Sequence, residues 1–283
     1  MRRLLILGVS LLVVFAACGR EGAPEDLMTA AEPASVAVTA TDYALEAPAS
    51  VGAGAVTLSI QNNGAEPHQA VLFKLNEGRS AATMIAAAKA TPNSWRNFGE
   101  YAGGPLAGPG GTSQVTVDLA PGKYAFFCEI PDPAGTAHLA LNMATDFEVT
   151  EAAEDKLPQP PAADQEASGT EMSFTLPTAW DGTVKFNNTG QQPHELVIAG
   201  AAGGATIQDA VAAITAPPGG EAPAGPPPFT IPGGVSPIGP GQSAWFQVDL
   251  PPGQYFALCF VADLTKGGAP HFTQGMQQQF EVQ

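Results

Sequence analysis

The chain carries the same unit twice, and this internal duplication limits its fold more than any other feature. Three stretches of the first half align without a gap on three of the second, pairing 56–72 with 182–198, 108–128 with 239–259, and 137–149 with 270–282. Self-similarity on this scale is the signature of repeated structural units. The sequence therefore predicts two similar domains in tandem.

Both copies are rich in short segments in which apolar and polar residues alternate. In the first copy Val56, Leu58 and Ile60 alternate with polar neighbours, and Tyr124 and Cys128 would share one face of a later strand. A period of two is typical of strands that are buried on one side. The 32 glycines and 27 prolines favour turns over long helices. We therefore predict an all-β chain of two antiparallel β-sandwiches.

Short helical segments interrupt this pattern once in each copy. Residues 80–90 and 206–215 are rich in alanine and lack the period of two. The second copy also has a stretch rich in Pro and Gly at 216–242, which we expect to form a long surface loop.

The first eighteen residues have the features of an export signal. Two arginines precede an apolar run over 4–15 that is too short to span a bilayer comfortably. The sequence Ala-Ala-Cys that ends at Cys18 resembles the bacterial lipobox, in which the cysteine is acylated and becomes the first mature residue. An ordinary cleaved signal peptide is the alternative. We expect an extracytoplasmic protein anchored by lipid on Cys18 to a bacterial membrane, at the cell surface or on the periplasmic side.

The segments between these features complete the predicted organisation. The stretch 150–171 is rich in Pro, Ala and acidic residues and has no apolar period, so we expect an extended and mobile linker. The predicted parts are a lipoprotein signal peptide at 1–18, a tether at 19–34, a first domain at 35–149, the linker at 150–171, and a second domain at 172–283.

Side chains that bind soft metals are scarce in the chain and recur in the same order in both copies. Each copy has an early histidine and then a cysteine, a histidine and a methionine, which are His68, Cys128, His138 and Met143 in the first and His194, Cys259, His271 and Met276 in the second. These positions account for all four histidines of the chain. Thiolate and thioether sulfur favour Cu(I), and imidazole suits both Cu(I) and Cu(II). The pattern therefore predicts one copper ion per domain.

The same side chains are also compatible with roles that involve no metal. Free thiols outside the cytoplasm tend to oxidise, so Cys128 and Cys259 require a disulfide with each other, deep burial, or a metal. The histidines could be polar loop residues, and the methionines could serve only to fill a core.

Three sequence motifs occur at matching positions in both copies. They are N-x-G-x-x-P-H at 62–68 and 188–194, D-L-x-P-G-x-Y-x-x-x-C at 118–128 and 249–259, and H-x4-M at 138–143 and 271–276. With these motifs each copy resembles the cupredoxins, the family of plastocyanin and azurin. The resemblance implies a Greek-key sandwich with a type 1 copper at one end. It also implies that His68, Cys128, His138 and their counterparts His194, Cys259, His271 are equatorial ligands, with Met143 and Met276 axial.

Two departures from that family concern the ligand loops and their surroundings. Nine residues separate Cys128 from His138 and eleven separate Cys259 from His271, where the family usually has only a few. We expect the longer loops to constrain the ligands less. The residue after the first histidine is commonly Asn in the family, whereas Glu195 follows it in the second copy. We expect this carboxylate to favour Cu(II) and to lower the potential of the second site.

Charge and motifs disfavour two classes of function. The formal net charge of −16 argues against binding to nucleic acid. The chain lacks G-x-S-x-G, H-E-x-x-H and phosphate-binding motifs. Multicopper oxidases and copper nitrite reductases, which share the cupredoxin fold, need histidines beyond the four present here. We therefore expect no enzymatic activity.

Three functions remain compatible with the sequence. The first is one-electron transfer with a redox protein as partner. The second is extracytoplasmic copper storage or delivery, with a copper-exchange protein as partner. The third is a cupredoxin-fold binding module that holds no metal.

Overall fold

The computed structural model describes residues 31–153, 157–201, 205–206, 208–209, 212 and 229–283. The predicted export signal, the lipidation site Cys18 and most of the tether lie outside these residues. Within the described ranges, no helix combines the length and the apolar character needed to cross a membrane.

The first unit consists of short strands and one α-helix. The strands are β1 Ala34–Thr41, β2 Ala44–Glu46, β3 Ser50–Gly52, β4 Gly54–Asn62, β5 His68–Gln69, β6 Val71–Leu75, β7 Gly99–Tyr101, β8 Leu106–Ala107, β9 Thr112–Leu119, β10 Gly122–Phe127 and β11 Ala144–Thr150. The helix α1 spans Ala81–Ala90, and 3-10 turns span Ser94–Phe98 and His138–Leu141.

The second unit repeats this order. Its strands are β12 Gln165–Thr170, β13 Ser173–Thr175, β14 Asp181–Asn188, β15 His194–Ala201, β16 Phe229–Ile238, β17 Ser243–Asp249, β18 Gly253–Leu258, β19 Ala262–Asp263, β20 Ala269–Pro270 and β21 Gln277–Val282. Its 3-10 turns span Leu264–Lys266 and His271–Gln274.

Each unit is a β-sandwich, which confirms the predicted fold class. In the first unit the sheet that contains β1, β4 and β9 faces the sheet that contains β6, β10 and β11. Their inward side chains form one core, which includes Leu58, Val117 and Phe126. The sheets are mixed rather than antiparallel, because β1 pairs parallel with β4, β3 with β11, and β12 with β14.

The helix α1 confirms the prediction for residues 80–90. Ser80 caps it, since its hydroxyl accepts a hydrogen bond from the N–H of Thr83, and the Thr83 hydroxyl accepts one from the N–H of Ser80. Met84 is buried in a small cluster with Trp95 and Phe127 on the outer face of the sheet. The predicted helix 206–215 lies largely outside the described residues.

The prediction of a surface loop at 216–242 was wrong for its second part. Residues Phe229–Ile238 form the ten-residue strand β16, whose side chains Val235 and Ile238 are buried. Within its own sheet this strand lies at the edge and pairs with β15, with two register shifts, and its last residues also bond Ala102–Gly104 of the first unit. An edge position and bulges tolerate proline and glycine that a central strand would exclude.

The two units share a sheet, which differs from the expected mobile connection. Strand β17 pairs with β9, with Trp245 opposite Thr116, and this joins both units in an eight-stranded sheet. The predicted linker is also ordered in part. Its residues Gln165–Thr170 form β12, and the carbonyl of Pro158 accepts a hydrogen bond from the N–H of Ala55. Polar and small side chains in β12 gave no apolar period by which to recognise a strand.

Candidate metal centres

The first histidine of each unit is positioned by an asparagine that ends the preceding strand. In the first unit the Asn62 side chain donates to the carbonyls of Glu66 and Ala107, at 2.8 and 3.0 Å, and accepts from the N–H of Gly64 at 2.9 Å. These bonds close the loop between Asn62 and His68 and position His68 at the end of the sandwich. Asn188 repeats these bonds in the second unit, to Gln192, Ile238 and Gly190.

The long segment between the cysteine and the second histidine is a small hairpin in each unit. In the first unit Pro131 bridges to Ala137, and the N–H of His138 bonds the carbonyl of Ile130 at 2.9 Å. In the second unit β19 and β20 form the hairpin, and the N–H of His271 bonds a carbonyl at its base. The extra residues of each loop bond to one another, so the structure supplies a brace for the second histidine that the expectation of looser ligands did not include.

The methionines are held directly behind the second histidine. The N–H of Met143 bonds the carbonyl of His138 at 3.0 Å, and its own carbonyl accepts from the N–H of Cys128 at 3.2 Å. Met276 makes the matching bonds in the second unit at 3.1 and 3.3 Å. Both methionine side chains are fully buried beside the cysteine of their own unit.

In the first unit the predicted donor atoms converge. The Nδ1 atoms of His68 and His138 lie 3.1 Å apart, and the Cys128 Sγ lies 4.0 and 3.4 Å from them. All three side chains have zero exposure. The three donors therefore surround a common point at the buried end of the sandwich.

The second unit has the same convergence around its own cysteine. The Cys259 Sγ lies 3.5 Å from the Nδ1 of His271, and the rings of His194 and His271 are 5.0 Å apart between centroids. One donor atom from each of the three residues lies within 4.8 Å of the others, as in the first unit. Both ring nitrogens of His194 are buried without a hydrogen-bond partner. A buried polar atom without a partner is costly, and a bound metal would supply a partner to one of these nitrogens.

The structure thus brings all the predicted site residues together, three donors and an adjacent methionine in each unit. Their assignment as ligands remains a prediction. The two cysteines are free and lie in separate clusters, so the structure does not contain the disulfide that the sequence left open.

Two carboxylates behind the first site were not predicted from the sequence. The Nε2 of His68 lies 2.9 Å from Asp42, and the Nε2 of His138 lies 2.8 Å from Glu66. Because each carboxylate accepts a hydrogen bond from the Nε2–H of its histidine, the Nδ1 lone pair of that ring is left free to face the site. Tyr43 covers the site, with its ring 4.9 Å from that of His138 and its hydroxyl donating to Glu66.

In the second site the groups that face the outer ring nitrogens are less negatively charged than in the first site. The neutral amide of Gln192 faces the Nε2 of His271 at 3.2 Å. Glu171 follows the first strand of its unit as the aspartate does in the first, but the Nε2 of His194 has no hydrogen-bond partner. Met172 stands in place of the covering tyrosine. The stretches 41–43 and 170–172 occupy matching positions after the first strand of each unit, but the sequence does not set their acidic residues apart from the others.

Burial keeps the donors uncharged in the metal-free protein. It raises the pKa of the Cys128 thiol to about 12 and that of Cys259 well above its usual range. It lowers the pKa of His194 to about 4, and it also lowers the pKa values of His138 and His271. The imidazoles are therefore ready to coordinate at neutral pH, and a bound cation would displace a proton from each thiol.

The residues after the first histidines meet between the two units. Gln69 donates its N–H to the Cys128 Sγ at 3.3 Å and its side-chain amide to Glu195 at 3.2 Å. The other oxygen of Glu195 accepts from the N–H of Phe260 at 2.7 Å. Burial raises the pKa of Glu195 to about 8, so this carboxyl is mostly neutral at pH 7. In the metal-free protein this carboxyl therefore carries little negative charge toward the second site.

Comparisons with known proteins give only distant likenesses. No family model and no curated protein matches the chain. A reduced auracyanin from Roseiflexus castenholzii is 23% identical over 43% of this chain and 99% of its own, with a TM-score of 0.29. Auracyanin A, a "blue" copper protein from Chloroflexus aurantiacus, is 22% identical over 41% and 98%, with a TM-score of 0.29. A Cu-containing nitrite reductase from Thermus scotoductus is 12% identical over 90% and 62%, with a TM-score of 0.24.

Proposed function

We propose that this chain is a copper protein that carries single electrons, with one copper ion in each unit. The observation that carries the proposal is the convergence of two imidazole nitrogens and one thiol in each unit, beside a buried methionine. This donor set accommodates both Cu(I) and Cu(II). The hydrogen-bonded hairpins and the asparagine-closed loops hold the donors in place, which keeps rearrangement between the two oxidation states small.

Complete burial of the donors favours electron transfer over copper delivery. All six imidazole and thiol side chains have zero exposure. A copper-accepting protein would have to reach these atoms to exchange ligands, whereas an electron needs only close contact with the protein surface above them. The same burial, and the use of all four histidines in the two clusters, supports a carrier without catalytic activity.

We place this carrier outside the cytoplasm, attached to a bacterial membrane by lipid on Cys18. The support is the sequence of the first eighteen residues, with an apolar run that ends in Ala-Ala-Cys. The partner proposed is a second redox protein at that membrane.

Copper binding is tested on the chain that begins after Cys18. After addition of Cu(II) and removal of excess metal, we expect two copper ions per chain and the strong visible absorption of a copper–thiolate bond. Cys128→Ser and Cys259→Ser should each lose about half of both signals, because the sites are separate.

Circular dichroism and the unfolding midpoint of both variants serve as the folding control. A folded chain that takes up no copper, or that takes it up without thiolate absorption, would contradict the proposal.

A further inference from the structure

We propose that the two metal centres exchange electrons within the molecule, through a bridge formed by the side chains of Gln69 and Glu195. The inference rests on the proposed function, since it requires copper in both units. It adds an internal route and names the residues that provide it.

The first end of the bridge is at the thiol of the first site. The backbone N–H of Gln69 lies 3.3 Å from the Cys128 Sγ and donates to it. The Gln69 side chain, which is only 4% exposed, then extends from the site toward the other unit. Gln69 thus contacts the sulfur ligand directly and also reaches across the interface.

The centre of the bridge is a hydrogen bond between the units. The Gln69 Nε2 donates to the Glu195 Oε2 at 3.2 Å, and both residues directly follow the first histidine of their unit. Backbone bonds fix the surrounding strands, from Gly103 to the carbonyl of Pro237 and from Ser236 to the carbonyl of Gly104, each at 2.8 Å. The contact is therefore buried within a rigid interface.

The second end of the bridge returns to a sulfur ligand. The Glu195 Oε1 accepts from the N–H of Phe260 at 2.7 Å, and the nitrogen of Phe260 is the amide nitrogen that is bonded to the carbonyl carbon of Cys259. Covalent bonds and hydrogen bonds therefore connect one thiol to the other without passing through solvent.

This continuity matters because electron tunnelling decays more slowly along covalent and hydrogen bonds than across gaps. In a half-reduced molecule, one electron would pass from Cu(I) in one unit to Cu(II) in the other, with no other reactant consumed. The route would let one unit accept electrons from a redox protein while the other donates them.

The test requires that the two sites differ in colour and potential. Met143→Gln provides this difference, because the axial ligand tunes both properties. In this background the fully oxidised, copper-loaded chain is reduced by a substoichiometric radiolytic pulse, and the absorption bands of both sites are followed at several protein concentrations. We expect a re-equilibration phase whose rate does not depend on protein concentration.

Substitutions at both ends of the central bond then probe the bridge. Gln69→Leu and Glu195→Leu remove the bond at nearly constant volume and should slow this phase by about tenfold or more. Glu195→Gln keeps an acceptor oxygen for the N–H of Phe260, and its amide N–H can donate to the unpartnered Oε1 of Gln69 after that amide rotates, so the rate should stay near that of the background. Thr116→Val is the matched control, because Thr116 lies opposite Trp245 in the shared sheet, away from the bridge.

A second measurement needs no copper. In the metal-free chain, a double-mutant cycle of Gln69→Leu and Glu195→Leu on the free energy of unfolding should show a coupling between the two residues. Additive effects would contradict the central bond.

The outcomes separate the bridge from the proposed function. Copper in both units with equal exchange rates in the background and in Gln69→Leu would overturn the bridge and leave the electron carrier intact. A slowing of the same size in Thr116→Val would also overturn it, since disturbance of the interface would then suffice. A chain that takes up no copper would overturn both.

Discussion

At the scale of single residues, the two centres differ most in the groups that face the outer nitrogens of their imidazoles. The carboxylate of Glu66 faces His138 in the first site, and the neutral amide of Gln192 faces His271 in the second. A carboxylate that accepts a hydrogen bond from Nε2–H makes the imidazole a stronger electron donor. It therefore favours Cu(II) over Cu(I). We therefore expect the first site to bind Cu(II) more tightly and to have the lower potential.

Exchanging the two residues should exchange this preference. Glu66→Gln should weaken Cu(II) binding at the first site by about tenfold, and Gln192→Glu should strengthen it at the second, because outer hydrogen-bond partners tune the ligands on this scale. Each affinity is measured by competition with a chelator, in the Cys259→Ser background for the first site and in Cys128→Ser for the second. Equal affinities of the two wild-type sites, or changes of the opposite sign, would contradict this assignment.

The metal-free protein should lose stability in mild acid. Burial lowers the pKa of His194 from 6.5 to about 4, so the unfolded chain binds more protons than the folded one between these values. The stability from this residue is fully present above pH 6.5 and is lost as the pH falls toward 4. The thermal midpoint of the metal-free chain should fall between pH 7 and 5, and His194→Gln should reduce the slope. A midpoint that stays constant over this range in the wild type would argue against the buried neutral imidazole.

The ligands could be predicted from the sequence, but their hydrogen-bond partners could not. Histidine, cysteine and methionine are scarce, so their repetition in the same order stands out against the background. Asp42 and Glu66 belong to a set of 27 acidic residues, and nothing in the spacing of either marks it as a neighbour of an imidazole. Only the fold places the turn after β1 over the site.

At the scale of elements, the hairpin between cysteine and histidine shows how a long loop can still fix a ligand. In the first unit Asp132 accepts hydrogen bonds from the backbone of Thr136 and, through its carbonyl, from the N–H of Gly135. These bonds close the hairpin tip, whose base bonds the N–H of His138. The sequence showed the length of the loop but not these internal bonds.

Removal of the Asp132 side chain should loosen this hairpin. Asp132→Ala deletes the acceptor for the N–H of Thr136, which is 2.7 Å away, and should destabilise the hairpin by about 1 kcal/mol. We expect faster copper release from the first site, measured by transfer to a chelator in the Cys259→Ser background. Asp118→Ala is the matched control, because it removes the same charge from an exposed position on β9. If both variants release copper equally fast, the hairpin does not hold the ligand.

Strand predictions succeeded where apolar residues alternate and failed where small or polar residues replace them. Strands β4, β9 and β10 have large inward side chains, and their period is visible in the sequence. In contrast, β12 has Ala167 and Gly169 as its inward residues, and β16 is interrupted by glycine and proline. Pairing with neighbouring strands specifies these two elements, and a single-sequence pattern does not report pairing.

At the scale of the whole molecule, the two units share one sheet and one hydrophobic core. The sheet continues from β9 into β17, and one hydrophobic cluster includes residues of both units, such as Phe126 and Phe246. The sequence predicted a mobile linker and left open whether the two units touch. An exposed edge and a strand paired across an interface have the same alternating pattern, so the sequence could not distinguish them.

The units should therefore unfold together. Phe126→Ala, at a fully buried position in the first unit, should destabilise the protein by about 3–5 kcal/mol. Calorimetry of the metal-free chain should give a single transition in the wild type and in the variant. In a Trp95→Phe background, in which the tryptophans left are Trp180 and Trp245 of the second unit, fluorescence should report the same lowered midpoint. Two resolved transitions, with only the first one shifted, would show that the units are independent.

The zero exposure of the donor side chains should control how fast a bound copper ion leaves, rather than how tightly it is bound. An ion held under Tyr43 or Met172 could leave only during brief openings of the turn that covers it. The lifetime of the copper-bound state would then be set by how often the covering turn opens locally. A strong chelator would therefore remove copper at the same limiting rate at any chelator concentration. A carrier with this property would keep its cofactor for its working life, even where free copper is scarce.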